Sequence, residues 1–254
     1  SRAAENLFWM GRYTERAENS IRLARITINR LNGEDAAAPA LLAWLGDMAM
    51  KSTLVLPGVP SAVQARRVFE RSLIASLDSR DGATSVGYNL RALKLNASSV
   101  RERLSQEHWS IITRAESQFS QRCAAHAAQG DWSAADALRT LEAASNDMAA
   151  ITGAQTDRMT RDDGWRRLCV LAPALASGFQ TGAVHDSGGF EALVALFDST
   201  ITFHAQYQQS RDVAALVDLL VLDRDNPRSL GWVVQTLRGR LAKLAGSAPD
   251  ALDA

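Results

Sequence analysis

The sequence predicts an all-α protein built as an antiparallel multi-helix bundle. Apolar residues recur at three- and four-residue steps through long stretches without proline. Breaks rich in Gly, Pro, Asn and Asp interrupt those stretches every ~15 to 25 residues, a spacing that suits antiparallel helices joined by loops. No segment alternates apolar and polar residues between hairpin turns, and no βα signals mark a parallel sheet.

From Ala4 to Leu31 there is no proline, and Leu7, Met10, Ala17, Ile21, Ala24, Ile28 and Leu31 mark one long amphipathic helix. Asn32-Gly33 ends it, Glu34 to Pro39 is a loop, and a short helix follows through Leu41, Leu45 and Met48. Pro57-Gly58-Val59-Pro60 is the next turn, with Ser61 placed to cap a helix running to about Leu77. Asp78 to Gly82 is a polar loop. Val86 to Arg103 then reads as one helix, with Leu90, Leu93, Ala97, Val100 and Leu104 as its apolar positions and an Arg-rich outer side. A helix from about Glu107 to Ala128, a break at Gly130-Asp131 and a helix from Trp132 to about Gln155 follow. Met159 to Ala176 is a helix interrupted near Pro173, and the Gly-rich loop Gly178 to Gly189 leads to a helix from Phe190 through Tyr207. A short helix covers Val213 to Leu222; Asn226 is then a natural N-cap, with Pro227 the first residue of the last helix.

A chain of 254 residues has ample length for a continuous core, and residues 1–254 are read as a single helical domain. Its 46% hydrophobic and 22% charged residues exclude the disordered and membrane classes. Lys plus Arg and Asp plus Glu both number 28, so no global field draws the chain to nucleic acid or to an acidic membrane, and any anion recognition has to be local. Lysine occurs only at Lys51, Lys94 and Lys243. The many arginines suit forked contacts to carboxylate or phosphate, although a GC-rich genome yields the same bias.

Cys123 and Cys169 have no CxxC spacing and no His at ligand spacing, which makes them buried thiols. His108, His126, His185 and His204 form no HExxH pattern, so no metal site is expected. P-loop, GxGxxG and GxSxG patterns are missing as well. With neither a signal peptide nor a membrane-spanning run visible, the expected location is the cytoplasm. Helix-forming sequence starts at once from Ser1, without a methionine, which suggests a domain excised from a longer protein.

The opening helix carries the densest chemistry. Arg12 and Glu15 lie one turn apart, as do Glu15 and Asn19, so both pairs can touch; Arg12 and Arg16, also one turn apart, repel unless something negative lies between them. Gly11 weakens a helix interior by about 1 kcal/mol relative to Ala, which predicts close approach of a neighbouring backbone or a ligand. Two readings stand: an interhelical Arg-Glu network that fixes the register of the bundle, or a polar binding pocket. Near the other end, Arg228 sits at the positive end of a helix dipole, with either Asp223 and Asp225 or a bound anion to offset it.

The run Asn6-Leu7-Phe8-Trp9-Met10-Gly11-Arg12-Tyr13-Thr14-Glu15-Arg16-Ala17-Glu18-Asn19 closely resembles the start of the bacterial alpha-E family, a helical domain with a Gly-Arg-x-x-Glu-Arg-Ala-Glu-Asn signature. Further matches follow in the family's order: Asn96 with Val100-Arg101-Glu102, then Ser105, Glu107 and Trp109, then Met159, Arg161-Asp162 and Gly164-Trp165, then Leu222-Asp223 with Asn226-Pro227-Arg228-Ser229. Arg101 and Ser105 share a face if their helix continues, and Trp109 is placed to supply core area. One departure stands out. Where the family repeats its Gly-Arg and Glu-Arg pattern, this chain reads Val170-Leu171-Ala172-Pro173-Ala174-Leu175-Ala176.

The resemblance implies a partner. Alpha-E proteins are encoded beside or fused to circularly permuted ATP-grasp proteins, often with a transglutaminase-like peptidase nearby. On that reading the chain is an accessory domain of an amide-bond-forming peptide or protein modification system. ATP and Mg are expected in the ATP-grasp partner, and no cofactor in this chain. Arg12, Glu15, Arg16, Asn19, Arg101 and Arg228 are the candidate binding residues, for a carboxylated or phosphorylated intermediate. No complete catalytic constellation is visible; a catalytic version would make Glu15 a general base if burial raised its pKa, an effect its arginine neighbours oppose. The alternative is a non-enzymatic scaffold that docks the ligase or a peptidase.

Overall fold

The longest element is α1, Arg2–Asn32, and α2, α3, α4 and α6 all pack on it. The computed structural model describes residues 2–33, 38–130, 132–155, 177, 180–182, 222–226, 229, 231, 232, 234–236, 238, 239 and 242. After α1 come α2 (Pro39–Lys51), α3 (Arg66–Ala75), α4 (Val86–Ser98), a 3-10 turn (Arg101–Arg103), α5 (Gln106–Gln129) and α6 (Ala134–Gln155). Among the described residues there is no strand, so the all-α expectation holds. No described helix is long and apolar enough to cross a membrane. The chain divides into two compact units, one of Ser1–Asp162 with Ser177–Ala192, the other of Asp163–Ala176 with Leu193–Ala254.

In the first unit the buried stripe of α1 is Met10, Ala17, Ile21, Ala24 and Ile28, at helical spacing. Trp44 and Leu45 of α2, Phe69 and Leu73 of α3, Leu90 and Leu93 of α4, Phe119 of α5 and Leu141 and Met148 of α6 complete the core. The last turn of α1 leaves carbonyls without intrahelical partners. Arg66 of α3 takes them up: its Nε donates to Leu31 O at 2.7 Å, and Nη2 donates to Arg30 O and Gly33 O, each at 3.1 Å.

A second tie holds α4 and α5 together. Arg91 pairs with the Asp78 carboxylate and donates to Ser79 O at 3.0 Å, while Ser120 Oγ of α5 donates to Asp78 Oδ2 at 3.0 Å. Residue 87 has to be glycine here, because a Cβ would lie 1.8 Å from Asp78 Oδ1. Lys94 Nζ reaches Glu116 Oε2 at 2.6 Å farther along the same pair of helices. Gly130, at φ 77, ends α5 in the left-handed region that glycine enters without strain. Ser133 Oγ then accepts from Asp136 N at 3.1 Å to start α6.

Several boundaries differ from the sequence reading, among them Pro39, which opens α2 instead of closing the loop, and the start of α6 at Ala134 rather than Trp132. The helix expected over Val86 to Arg103 stops at Ser98. Asn96 Nδ2 donates to Ala92 O at 2.8 Å, and the hydroxyls of Ser98 and Ser99 both donate to Leu95 O, at 2.7 and 3.1 Å. Side chains thus compete with the helical ladder just where it fails. Ser61 does form a reciprocal cap with Gln64 (3.1 and 3.3 Å), but the turn it caps ends at Ala65, whose φ of −148° breaks it, and α3 begins at Arg66. Gln180 is helical and Thr181 N donates to Ser177 O at 3.0 Å, inside the stretch read as a Gly-rich loop from Gly178. In the second unit the cap is Ser229 rather than Asn226, since Ser229 Oγ accepts from Trp232 N at 3.1 Å. The helices expected over Met159 to Ala176 and Phe190 to Tyr207 lie outside the described residues, as do the one expected from Val213, up to its last residue Leu222, and the helix start expected at Pro227.

Candidate functional site

Neighbouring residues on an α-helix point about 100° apart, so Glu15 and Arg16 point to different sides of α1. Glu15 is buried at 6% exposure, and it is buried away from the main core: nine residues separate it from Ala24, which is roughly half a turn around the helix. Arg16 is exposed. Its guanidinium lies over the Tyr13 ring at 5.9 Å, with Trp9 6.0 Å beyond Tyr13 and Phe8 edge-on to Trp9 at 5.5 Å. Arg12 and Asn19 are half-buried. Neither Arg12 nor Glu15 is an isolated group, for each takes part in at least one polar or ring interaction. Within α1, Arg22 pairs with Glu18 at 2.9 Å.

Gly11 does not have the close neighbour that its helix position suggested: among the described residues, a Cβ there would meet no heavy atom within 4 Å beyond its own turn of helix. Arg101 does not share a helical face with Ser105 either, because the intervening turn is 3-10 and Ser105 is itself the N-cap of α5, accepting from His108 N at 3.0 Å. Arg101 donates to Leu104 O at 3.2 Å and to Gln106, and lies 5.5 Å over the Trp109 ring. Its donors thus stitch the α4–α5 joint, and Trp109 is half-buried beneath a cation rather than deep in the core. Arg228, Arg161, Asp162 and Trp165 lie outside the described residues, whereas Asp223 Oδ1 accepts from Asp225 N at 2.9 Å in the turn before Arg228.

Sequence reading missed two features. Asp78, taken as a loop residue, is the anion that joins α4 to α5. Glu70-Arg71 on α3 also repeats the division of Glu15-Arg16, with Glu70 buried at 7% and Arg71 exposed. The dipeptide was visible; its burial was signalled only by Phe69 and Leu73 on either side.

The remaining titratable groups are ill suited to chemistry. Burial pushes the Cys123 thiol up to about 12, with Asp78 adding to the effect, so the group stays protonated and unreactive. Cys169 lies outside the described residues. Burial also lowers the pKa of His108, which favours a neutral ring. Among the described residues no three His, Cys, Asp or Glu side chains are grouped to hold a metal ion.

A family model described as a predicted alpha-helical domain with a conserved ER motif matches residues 1–253. An uncharacterized protein of Mycobacterium tuberculosis is 28% identical over 279 residues, covering 97% of this chain and 30% of the relative. One from Mycobacterium bovis is similar to the same extent, at 28% identity with 97% and 30% coverage. The chain therefore spans 30% of the length of these curated relatives. No solved structure gives a significant match.

Proposed function

The chain belongs to the Alpha-E family, and from that premise we propose that it is the accessory helical domain of an ATP-grasp-linked system that forms amide bonds on a peptide or protein, holding a partner in place rather than performing the chemistry. One observation carries the docking role: the Glu-Arg signature is divided between inside and outside. A general base and the arginine that holds its substrate both have to face the reacting atoms. Glu15 is buried while Arg16 reaches solvent about 100° away, an arrangement that builds a helix on one side and presents a surface on the other. The link to a ligase rests on the family resemblance. ATP and Mg belong to the ATP-grasp partner on this reading, a transglutaminase-like peptidase is a further partner, and the setting is the cytoplasm.

The test is reconstitution with a circularly permuted ATP-grasp protein of the kind the family resemblance implies. The expected result is a stable complex, with product formed from ATP faster in its presence, and no ATP hydrolysis or tight ATP binding by this chain alone. Failure to bind the ligase, together with equal product formation in its absence, overturns the proposal. Loss of product in Arg16→Gln, with binding and melting unchanged, would replace docking with recognition of a carboxylated or phosphorylated intermediate.

A further inference from the structure

Glu5, Trp9, Tyr13 and Arg16 succeed one another at steps of four, four and three residues, which aligns them on one side of α1. The same line continues through Ser20, Leu23, Thr27 and Leu31, all buried. Glu5 and Arg16 are exposed, Trp9 is 37% exposed and Tyr13 is half-buried. Phe8, at 57% exposure, flanks this open part. Aromatic rings and arginine gathered on a surface are the composition of the centre of protein–protein contacts.

The order of charge along this face selects the occupant. An acid stands at one end, a base at the other, and three aromatic rings lie between. A two-fold axis crossing the helix between Met10 and Gly11 exchanges Glu5 with Arg16, Phe8 with Tyr13 and Trp9 with Arg12, which sets each Trp9 ring against a guanidinium. We infer that this face of α1 pairs antiparallel with the same face of a second copy of the chain, each Glu5 meeting the other copy's Arg16 across a core of aromatic rings. That is an isologous contact, complementary to itself. A parallel pairing would set Glu5 on Glu5 and Arg16 on Arg16, so electrostatics choose the antiparallel one. Glu5 and Arg16 are roughly 16 Å apart along the axis, close enough for one helix–helix contact to include both ends. The open face spans only a few helical turns and falls short of the ~800 Å² per partner of a standard interface, so the association is weak and reversible. The pairing uses the open Arg16 side that the docking reading presents to a partner, but it is measured on the chain alone, so its failure and the failure of ligase docking are told apart.

Sedimentation velocity on the 254-residue chain over a micromolar concentration series tests it. The parent should show a reversible monomer–dimer equilibrium. Glu5→Arg and Arg16→Glu should each weaken the dimer by roughly tenfold through like-charge contact, and the double swap Glu5→Arg with Arg16→Glu should restore it. Trp9→Ser should reduce pairing at temperatures where the variant remains folded, with only a small shift of the thermal melt. A parent that is monomeric throughout overturns the inference. So does self-association that ignores the single swaps, or a double swap that fails to rescue although the protein melts like the parent.

Discussion

The two halves of α1 carry one continuous stripe and meet different surroundings. In the C-terminal half the stripe is Ser20, Leu23, Thr27 and Leu31, all buried, and Arg66 of α3 anchors the final turn through the carbonyls of Arg30, Leu31 and Gly33. In the N-terminal half it is Glu5, Trp9, Tyr13 and Arg16, largely open. Periodicity is the same in both, so periodicity says which residues share a side and not whether that side is covered. Residue type tells the halves apart. The covered half uses small and aliphatic side chains, whereas the open half uses long amphipathic ones with a ring or a charge at the tip.

The largest expected effect comes from a side chain that breaks the simple pattern. Glu15 lies off the stripe and is still buried at 6%, so its carboxylate belongs to the covered part of the molecule. Glu15→Gln should reduce stability by roughly 3 to 5 kcal/mol, because it leaves the groups that offset the charge uncompensated. Chemical denaturation measures this directly. A loss below ~1 kcal/mol would place Glu15 with the open residues and undo the inside–outside division of the signature.

Within the stripe, Leu31→Ala should cost roughly 2 to 5 kcal/mol, the range for a fully buried leucine. Trp9→Ala, on the same side but 37% exposed, should cost much less, despite removing the larger side chain. Similar losses for the two would show that the N-terminal half is packed as firmly as the C-terminal half.

Much of the fold was legible because local signals coincide with it. The ends of α1 and α5 follow Asn32-Gly33 and Gly130 as read, whereas Pro39, read as loop, opens α2, and Ser133, not singled out, starts α6 through its hydroxyl. The break after Ser98 was not read, since Val100 and Leu104 extend the apolar period across it and only the serine and asparagine side chains bonded to Leu95 O and Ala92 O reveal it. Asp78 joins residues 13 and 42 positions away, a relation no local pattern contains. The Glu-Arg signature was located correctly on α1, but which member faces inward depends on what covers the helix. Spacing alone placed Arg12, Glu15 and Asn19 together and left their burial open.

Gly11 gives a smaller test near the middle of the open half. Helix position points to a close neighbour, but no described residue outside its own turn of helix lies within 4 Å of its missing Cβ. Gly11→Ala should therefore stabilise the protein by up to about 1 kcal/mol, through helix propensity alone. A lower melting temperature would mean that something does approach α1 there in solution, and that this half is less open than it is here.

Arg16→Gln should have the smallest effect on stability, and its smallness is informative. The positions one turn away are Tyr13, Arg12, Asn19 and Ser20, so no carboxylate on α1 is placed to pair with Arg16. Its contact with the Tyr13 ring at 5.9 Å is worth ~0.5 kcal/mol at an exposed site, and the one-turn repulsion from Arg12 offsets part of that. The two terms nearly cancel, and the melt should move by no more than about 0.5 kcal/mol, less still as salt is raised. Glu15→Gln supplies the contrast, since the two substitutions alter adjacent residues of one signature. If Arg16→Gln lowers stability as much as Glu15→Gln, the pair is a single buried network and the open face does not exist. If it leaves the melt unchanged while weakening self-association, stability resides in the glutamate and recognition in the arginine.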